Sequence, residues 1–377
     1  MKRIFYMKPF QYTSLILVVI LGFVTACSDD DATPPQAAAT FTASKTTVGV
    51  GEEVQFTNSS ENATAFKWSF GDGTTSKEVS PKKAYTEGGS YVVTLVSTGA
   101  GGSSISNVTI TVVPDQLYYI GLENLKITRL ILDPTKAVTD LLDLEGRGGV
   151  GLAYDAKTDR IYFSDYENYD ESKIWSMKPD GSDAKVVVDG LFNAYQIAID
   201  AQAGKIYWAD DADGDDIGRI GRANLDGSQV EKELVTKEEF AFRGIALDPE
   251  NSKMYYYSDN YYSGGYAIYV SNLDGTNEQV LIPDVWGYAL AIDTMHDKIY
   301  FHDQENGLFM ANLDGTTVVR VAETDSYIYG IIIDYKHNKL LWSERDAGTI
   351  NRANLDGSEK EELKSGVGSV RGLFLKN

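Results

Sequence analysis

The stretch QIAIDAQAGKIYWAD at 196–210, followed by NLDGS at 224–228, decides the fold of most of this chain. An apolar segment ends in Asp200, and after a short polar interval an aromatic segment ends in Asp210. β-Branched and aromatic runs separated by polar turns are typical of neighbouring strands. The Asp226-Gly227 pair is typical of a tight turn, here between a third and a fourth strand.

The same pattern occurs five times between residues 151 and 358. The acidic residues that close the aromatic strand stand 45, 49, 44 and 41 residues apart, at Asp165, Asp210, Asp259, Asp303 and Glu344. Four strands per unit at such a period are typical of one blade of a β-propeller. The sequence therefore predicts an all-β propeller over residues 117–377.

Tyr207-Trp208-Ala209-Asp210 resembles the YWTD repeat of propellers of the low-density-lipoprotein-receptor type (LDL-receptor class B repeats). The resemblance extends over residues 117–377. A second and a third strand at 117–121 and 126–130 have no first strand before them, whereas 371–375 has the missing apolar pattern. We expect this C-terminal strand to complete a sixth blade, because a closed ring has no sheet edges that promote aggregation.

Shorter strands precede the repeats. Segments with alternating apolar and polar residues lie at 53–57, 65–70, 91–95 and 108–112. Period two with β-branched and aromatic residues, interrupted by turn residues, predicts a small β-sandwich.

Two motifs in this region resemble the PKD (polycystic kidney disease) domain. They are Trp68-Ser69-Phe70-Gly71-Asp72-Gly73 and Gly89–Leu95, and the resemblance covers residues 40–114. It implies an immunoglobulin-like β-sandwich that acts as a spacer or an adhesive module. We expect Asp72 to be a turn residue that accepts backbone hydrogen bonds, not a functional carboxylate.

The N-terminus has the features of an export signal. Lys2, Arg3 and Lys8 accompany an apolar run from Leu15 to Val24 that is too short to cross a bilayer as a mature helix. Val24-Thr25-Ala26-Cys27 resembles the lipobox of bacterial lipoproteins. The resemblance implies that residues 1–26 are a cleaved signal peptide and that Cys27 is lipidated.

Residues 27–39 are then a lipidated tether, rich in alanine and proline. Ser28-Asp29-Asp30-Asp31 resembles the acidic tag that sends some lipoproteins to the outer face of the outer membrane. We expect a protein that is anchored in the outer membrane, faces the cell exterior and contacts the membrane through its lipid alone.

Charge and cysteine content exclude several classes of function. The 377 residues carry a formal charge of −21 with a pI near 4.5, which disfavours nucleic acid as a partner. Cleavage after residue 26 would remove three basic residues and no acidic ones, leaving −24. A single cysteine allows no internal disulfide and no cysteine-based zinc site.

The repeated aspartates Asp165, Asp210, Asp259 and Asp303 are expected to be structural, because a residue present in every blade has a task in every blade. Residues that break the repeat are the better candidates for function. The loops before the inner strands open on one face, where we also expect Phe192. The predicted ligand-binding residues are Arg147, Asn193, Tyr195, Phe242, Arg243, Trp286, Tyr288, Tyr327, Tyr329 and Arg371.

The loops between second and third strands form an acidic rim on the same face. Within it, Asp211, Asp213 and Asp215 alternate as in a calcium loop, but no downstream bidentate glutamate follows. A solvated acidic turn and a Ca²⁺ site both remain open, and no other cofactor is expected.

Aromatic and arginine side chains around a propeller mouth favour a non-catalytic, cell-surface binding protein that acts as a monomer. Its ligand would be a protein, a peptide or a glycan. The alternatives are a polysaccharide hydrolase or lyase that uses the acidic rim, and an adhesin without a small ligand. Neither a nucleophile elbow nor a Cys-His pair is present in the sequence.

Overall fold

The computed structural model describes residues 33–377 except 122, 124, 134, 146, 167–170, 212–215, 261 and 263. Cys27, the signal peptide and the acidic residues 29–31 lie outside these ranges. The described residues form an all-β structure with two domains in sequence, as predicted. Within them, no helix is long and apolar enough to cross a membrane.

The first domain is a sandwich of a three-stranded sheet, β1-β3-β6, and a five-stranded sheet, β2-β8-β7-β4-β5. Its strands are β1 (Phe41–Ala43), β2 (Thr47–Gly49), β3 (Glu53–Asn58), β4 (Ala65–Ser69), β5 (Thr75–Ser76), β6 (Lys82–Ala84), β7 (Gly89–Gly99) and β8 (Gly102–Val113).

Trp68 fills the centre of this sandwich, because alternation along β4 turns it inward. Its ring lies 4.9 Å from Phe41 and 5.7 Å from Phe56, and its indole N–H donates to the Glu78 carbonyl at 2.9 Å. A fully buried tryptophan thus contributes apolar area without leaving its polar atom unpaired.

Asp72 is a turn residue, as expected. Its carboxylate accepts hydrogen bonds from the Thr74 amide at 2.9 Å and hydroxyl at 2.6 Å, and it pairs with the Lys83 ammonium at 2.6 Å. Burial raises the pKa of Asp72, but the bonds from Lys83 and Thr74 outweigh it and lower the pKa to about 2.

The second domain is a ring of six four-stranded antiparallel sheets. Blade 1 contains β9 (Gln116–Gly121), β10 (Lys126–Ile131), β11 (Val138–Asp143) and, from the C-terminus, β32 (Val370–Lys376). Blade 2 contains β12 (Gly148–Asp155), β13 (Arg160–Tyr166), β14 (Ser172–Met177) and β15 (Lys185–Leu191), and blade 3 contains β16 (Ala194–Asp200), β17 (Lys205–Asp210), β18 (Ile217–Asn224) and β19 (Glu231–Glu238).

Blade 4 contains β20 (Phe240–Asp248), β21 (Lys253–Asn260), β22 (Tyr266–Asn272) and β23 (Gln279–Pro283). Blade 5 contains β24 (Leu290–Asp293), β25 (Lys298–Asp303), β26 (Gly307–Asn312) and β27 (Val319–Ala322), and blade 6 contains β28 (Ile331–Asp334), β29 (Lys339–Glu344), β30 (Thr349–Asn354) and β31 (Glu361–Ser365).

The chain closes the ring through its last strand. β32 pairs antiparallel with β9, so that the inner strand of blade 1 comes from the C-terminus. The Phe374 ring stacks on Tyr118 at 4.5 Å, within the cluster that separates blade 1 from blade 2. This is the strand that the sequence pattern at 371–375 indicated.

The repeated Asp-Gly turns join each blade to the one before it. Their aspartates accept bonds from the amide and hydroxyl of a serine or threonine two residues on, as Asp314 does from Thr316. The glycines of these turns have positive φ, and a Cβ on any of them would stand 2.2–3.0 Å from a carbonyl oxygen in the outer strand of the preceding blade. The pairs of glycine and carbonyl group are Gly181 with Leu141, Gly227 with Val187, Gly275 with Leu234, Gly315 with Leu281 and Gly357 with Val321. Glycine therefore permits both the turn and the close approach.

Asp165 shows why an acidic residue closes the aromatic strand. Its carboxylate accepts the Lys173 amide at 2.9 Å and the Trp175 indole N–H at 2.5 Å, both on the next strand. Burial raises the pKa of Asp165. Its task is structural, as the repetition predicted.

Gly315→Ala is expected to destabilise the propeller by roughly 2–5 kcal/mol, from left-handed strain and overpacking together. The new methyl group would meet the Leu281 carbonyl oxygen at 2.3 Å, at a φ of +81°. Gly204→Ala is the matched control, because Gly204 also has positive φ (+66°) but its Cβ would meet nothing within 4 Å. Gly204→Ala should lower the free energy of unfolding by only about 1 kcal/mol. Urea unfolding measures both, and equal costs would contradict the proposed joint.

Asp72→Asn is expected to make the sandwich less sensitive to acid. The folded pKa of about 2 lies below the ordinary 3.8, so the ionised carboxylate contributes stability above 3.8 that is lost as the pH falls towards 2. Asparagine does not titrate, so the variant should be less stable at neutral pH and should lose less on acidification. Thermal unfolding between pH 7 and pH 2 measures this, and identical acid sensitivity in both proteins would refute it.

Candidate functional site

Four tyrosines meet over one end of the central channel. They are contributed by the starts of the inner strands of blades 3, 5 and 6, which converge at the axis of the ring. Tyr288 lies 4.5 Å from Tyr329 and 5.7 Å from Tyr327, while Tyr195 lies 6.1 Å from Tyr329 across the channel. Tyr195 and Tyr329 are buried, whereas Tyr288 and Tyr327 are half-buried.

Gln196 closes the channel beneath these rings. The other five inner strands have a small residue at this position: Gly151, Gly244, Ala289, Gly330 and Gly372. The Gln196 side-chain amide instead reaches across the ring and donates to the Tyr329 carbonyl oxygen at 2.6 Å. Below it, a channel of about 490 Å³ runs to Tyr154 and Tyr335 at the opposite face.

The aromatic surface continues outward from the axis over blades 4 to 6. Trp286 lies 5.8 Å from Tyr288 and 6.0 Å from Tyr266, whose side chain is exposed. The Trp286 indole N–H donates to Asp259 at 3.2 Å, which fixes the plane of the ring. We call the set Tyr195, Tyr266, Trp286, Tyr288, Tyr327 and Tyr329 the aromatic strip.

Three arginines lie against the faces of the strip. Arg243 stands 5.1 Å from the Tyr288 ring, Arg345 stands 4.2 Å from Tyr327, and Arg371 stands 5.1 Å from Tyr329. These are distances at which a guanidinium is attracted to an aromatic face. Arg345 also donates to the Tyr329 hydroxyl at 3.2 Å, which links the two kinds of side chain.

The acidic groups nearest the strip are engaged in ion pairs. Arg243 is buried and pairs with Asp211 at 2.9 Å and with Asp259 at 2.8 Å. Burial raises the pKa of Tyr195 and of Tyr288 above the ordinary value. The phenols are therefore neutral at physiological pH.

Two predicted residues differ from the expectation. Phe242 was predicted at the mouth, but it is fully buried and packs edge-on against Tyr256 at 5.4 Å, inside the cluster between blades. The Arg147 guanidinium pairs with Asp165 at 3.1 Å and lies over the Trp175 ring at 4.8 Å. Both of these contacts are within blade 2. Phe242 therefore lies in the core between blades and not at the surface of the mouth.

Asn193 and Phe192 are also off the strip. Asn193 is buried, and its carbonyl oxygen accepts the Asp211 amide at 3.2 Å. Phe192 receives the Arg219 guanidinium on its face at 3.9 Å. The structure brings together Tyr195, Arg243, Trp286, Tyr288, Tyr327, Tyr329 and Arg371.

Sequence reasoning missed Tyr266, Gln196 and Arg345. Arg345 follows Glu344 in the loop between the second and third strands of blade 6, where the sequence predicted only an acidic rim. An arginine directly after the closing acid was a visible break in the repeat. Gln196 was likewise a visible break, because the other five inner strands have glycine or alanine at the same position.

The candidate calcium loop is described only in part. Asp213 and Asp215 lie outside the described residues, and Asp211 pairs with Arg243. Within the described ranges, no group of three or more histidine, cysteine or acidic side chains is arranged to hold a metal ion. His302 is fully buried, which lowers its pKa to about 4, so it is a neutral packing residue.

Comparison with known proteins agrees with both domains. Residues 32–113 match the model of the PKD domain. A chain of a solved nidogen/laminin complex superimposes with a TM-score of 0.59 and 21% identity, over 69% of this chain and 98% of that chain. Identity at this level shows a shared fold.

Two curated proteins are similar in sequence. Vitellogenin receptor of Solenopsis invicta is 22% identical over 217 residues, which are 57% of this chain and 12% of that protein. Protein cueball of Drosophila erecta is 30% identical over 213 residues, which are 53% of this chain and 32% of that protein. This chain therefore matches a third or less of the length of either relative. The N-terminal domain matches the PKD domain, and the C-terminal domain is a six-bladed β-propeller whose repeats resemble the YWTD type.

Proposed function

We propose that this protein binds a segment of a protein partner through the aromatic strip and does not act on it chemically. The observation that carries the proposal is the unbroken series of ring contacts from Tyr266 to Tyr195, with arginines on the ring faces. Aromatic and arginine side chains dominate the binding energy of protein interfaces. Tyrosine and tryptophan also lose little conformational entropy when a partner covers them.

The strip is organised before any ligand arrives. Asp259 orients Trp286, Arg345 holds the Tyr329 hydroxyl, and Gln196 anchors the Tyr329 backbone. A preorganised surface spends less of its interaction energy on ordering side chains during association.

Binding is also favoured over hydrolysis by the state of the nearby acids. Glycoside hydrolysis requires a pair of carboxyl groups that are free to donate and accept protons on either side of the substrate. Asp211 and Asp259 are instead both held by Arg243. The similarity to a receptor and to a chain of a complex of two proteins supports a protein ligand.

The double variant Trp286→Ala, Tyr288→Ala is expected to lose binding, because anchors of this kind are worth on the order of 2 kcal/mol each. Arrays of dodecamer peptides and of glycans, incubated with residues 27–377, supply the measurement. Tyr335→Ala is the control, because Tyr335 is exposed at the opposite face. Circular dichroism verifies that each variant is folded.

The outcomes separate the alternatives. Peptide capture that is lost in the double variant and kept in the control supports the proposal. Capture of glycans and of no peptide would show that the ligand is a glycan and not a protein segment. Release of reducing ends from a polysaccharide would establish an enzyme. Peptide affinity that is equal in the wild type and the double variant would refute the strip as the site.

We further propose that Cys27 anchors the protein in the outer membrane, with the propeller outside the cell. The lipobox-like Val24–Cys27 and the acidic residues after it support this, and two or more acyl chains are sufficient for stable anchoring. Cys27→Ala is expected to abolish labelling by radioactive palmitate and sedimentation with membranes, whereas Ser28→Ala should change neither. Unaltered labelling of Cys27→Ala would contradict the anchor.

A further inference from the structure

We propose that the connection between the sandwich and the propeller is an intramolecular clamp, which holds the propeller ring closed through Asp115. We call the joint between blade 6 and blade 1 the seam, because the first and last strands of the propeller meet there. This inference does not depend on the proposed ligand.

The seam differs from the other five joints. In each of those joints, the glycine of an Asp-Gly turn packs against a backbone carbonyl group in the outer strand of the preceding blade. The sequence of blade 1 has Asp133-Pro134 where the other blades have Asp-Gly, and proline cannot adopt positive φ. The Lys136 ammonium donates to the Leu363 carbonyl oxygen of blade 6 at 2.8 Å. A long, flexible side chain thus joins blade 1 to the outer strand of blade 6.

Asp115, in the connection between the two domains, ties both sides of the seam together. Its buried carboxylate accepts the Lys336 ammonium at 2.7 Å and lies 3.5 Å from the His337 Nε2, both in blade 6. Its carbonyl oxygen accepts the Leu132 amide of blade 1 at 2.9 Å. One residue therefore bridges the connection, blade 6 and blade 1.

The chain terminus joins the same network. His337 Nδ1 lies 2.7 Å from Asp334, and the Asn377 side-chain amide donates to Asp334 at 3.0 Å. Asn377 directly follows β32, the strand that closes the ring. The polar network at Asp115 and Asp334 therefore holds the end of the closing strand.

The sandwich lies close to both flanks of the seam. A Cβ on Gly49 of β2 would stand 3.3 Å from the Lys336 ammonium, on the blade 6 side. The turn at 86–88 and the blade 1 residues Leu132 and Lys136 line the same cavity, of about 350 Å³. The connection that contains Asp115 therefore runs beside the seam, at the face opposite the aromatic strip.

Breaking the network should loosen the seam, because the Asp115 carboxylate is buried and loses a partner there. His337→Asn tests this selectively. Blade 4 has Asn251 at the corresponding position, where its amide donates to Asp248 at 2.8 Å, so asparagine keeps the turn. Asparagine is too short to reach Asp115 as well.

Blade 5 provides the matched control. His296 makes the same contact with Asp293, also at 2.7 Å. Among the described residues, no ion pair joins that turn to Asp115 or to the rest of the connection. His296→Asn therefore removes the same ring from the same kind of turn, away from the seam. Lys336→Met is a second seam variant, because blade 5 already has Met295 at that position.

Hydrogen exchange of the full chain, followed by mass spectrometry, is the measurement. Lys336→Met is expected to raise exchange in β9 and β32 by about tenfold, the effect of losing one charge-assisted hydrogen bond. His337→Asn removes the polar contact between the ring and Asp115 and is expected to raise exchange in the same strands. His296→Asn should leave these strands unchanged. Equal exchange of β9 and β32 in the seam variants and the control would overturn the clamp. So would faster exchange confined to the sandwich.

Discussion

The pairing of β32 with β9 is the constraint on which the rest of the propeller depends. A blade buries both of its faces only when it has a neighbour on each side, so every cluster between blades requires a closed ring. In this protein the closing contact joins the two ends of the domain. Such non-local contacts form late and at a high cost in chain entropy. That cost is the physical reason to reinforce the seam, and the Asp115 network lies there.

Function in this fold depends on departures from the repeat. The aspartates, the Asp-Gly turns and the branched aliphatic residues recur because each blade needs the same joints. Gln196 and Arg345 occur once each, and the tyrosine at the start of the inner strand occurs in only three of the six blades, as Tyr195, Tyr288 and Tyr329. These side chains meet at one face. The repeated part keeps these side chains at fixed positions, which allows a binding surface to be assembled from residues of several blades.

Much of this structure could be predicted from local sequence, whereas the surroundings of single mouth residues could not. The strand pattern, the blade number and the structural role of Asp165 and Asp72 followed from period, spacing and turn chemistry. Phe242 was expected in the loop before an inner strand, but β20 already begins at Phe240, and the Phe242 ring lies in the cluster between blades. β20 also has a register shift between Phe242 and Ile245, and a period-two pattern does not reveal where such a shift occurs.

The sequence by itself determined the domain order, the four-stranded repeat and the ring of six blades. The strands and turns depend on residues that are close in the chain, where hydrophobic alternation and turn residues act directly. The sixth blade joins the two ends of the domain, but its missing strand could be counted from the repeat pattern. Only the tertiary structure decided which aromatic rings touch, which arginines are neutralised and where the PKD domain rests. Contacts such as Tyr195 with Tyr329, or Asp115 with Lys336, join residues that are far apart in sequence. Their distances are set by the geometry of the closed ring, which no local pattern contains.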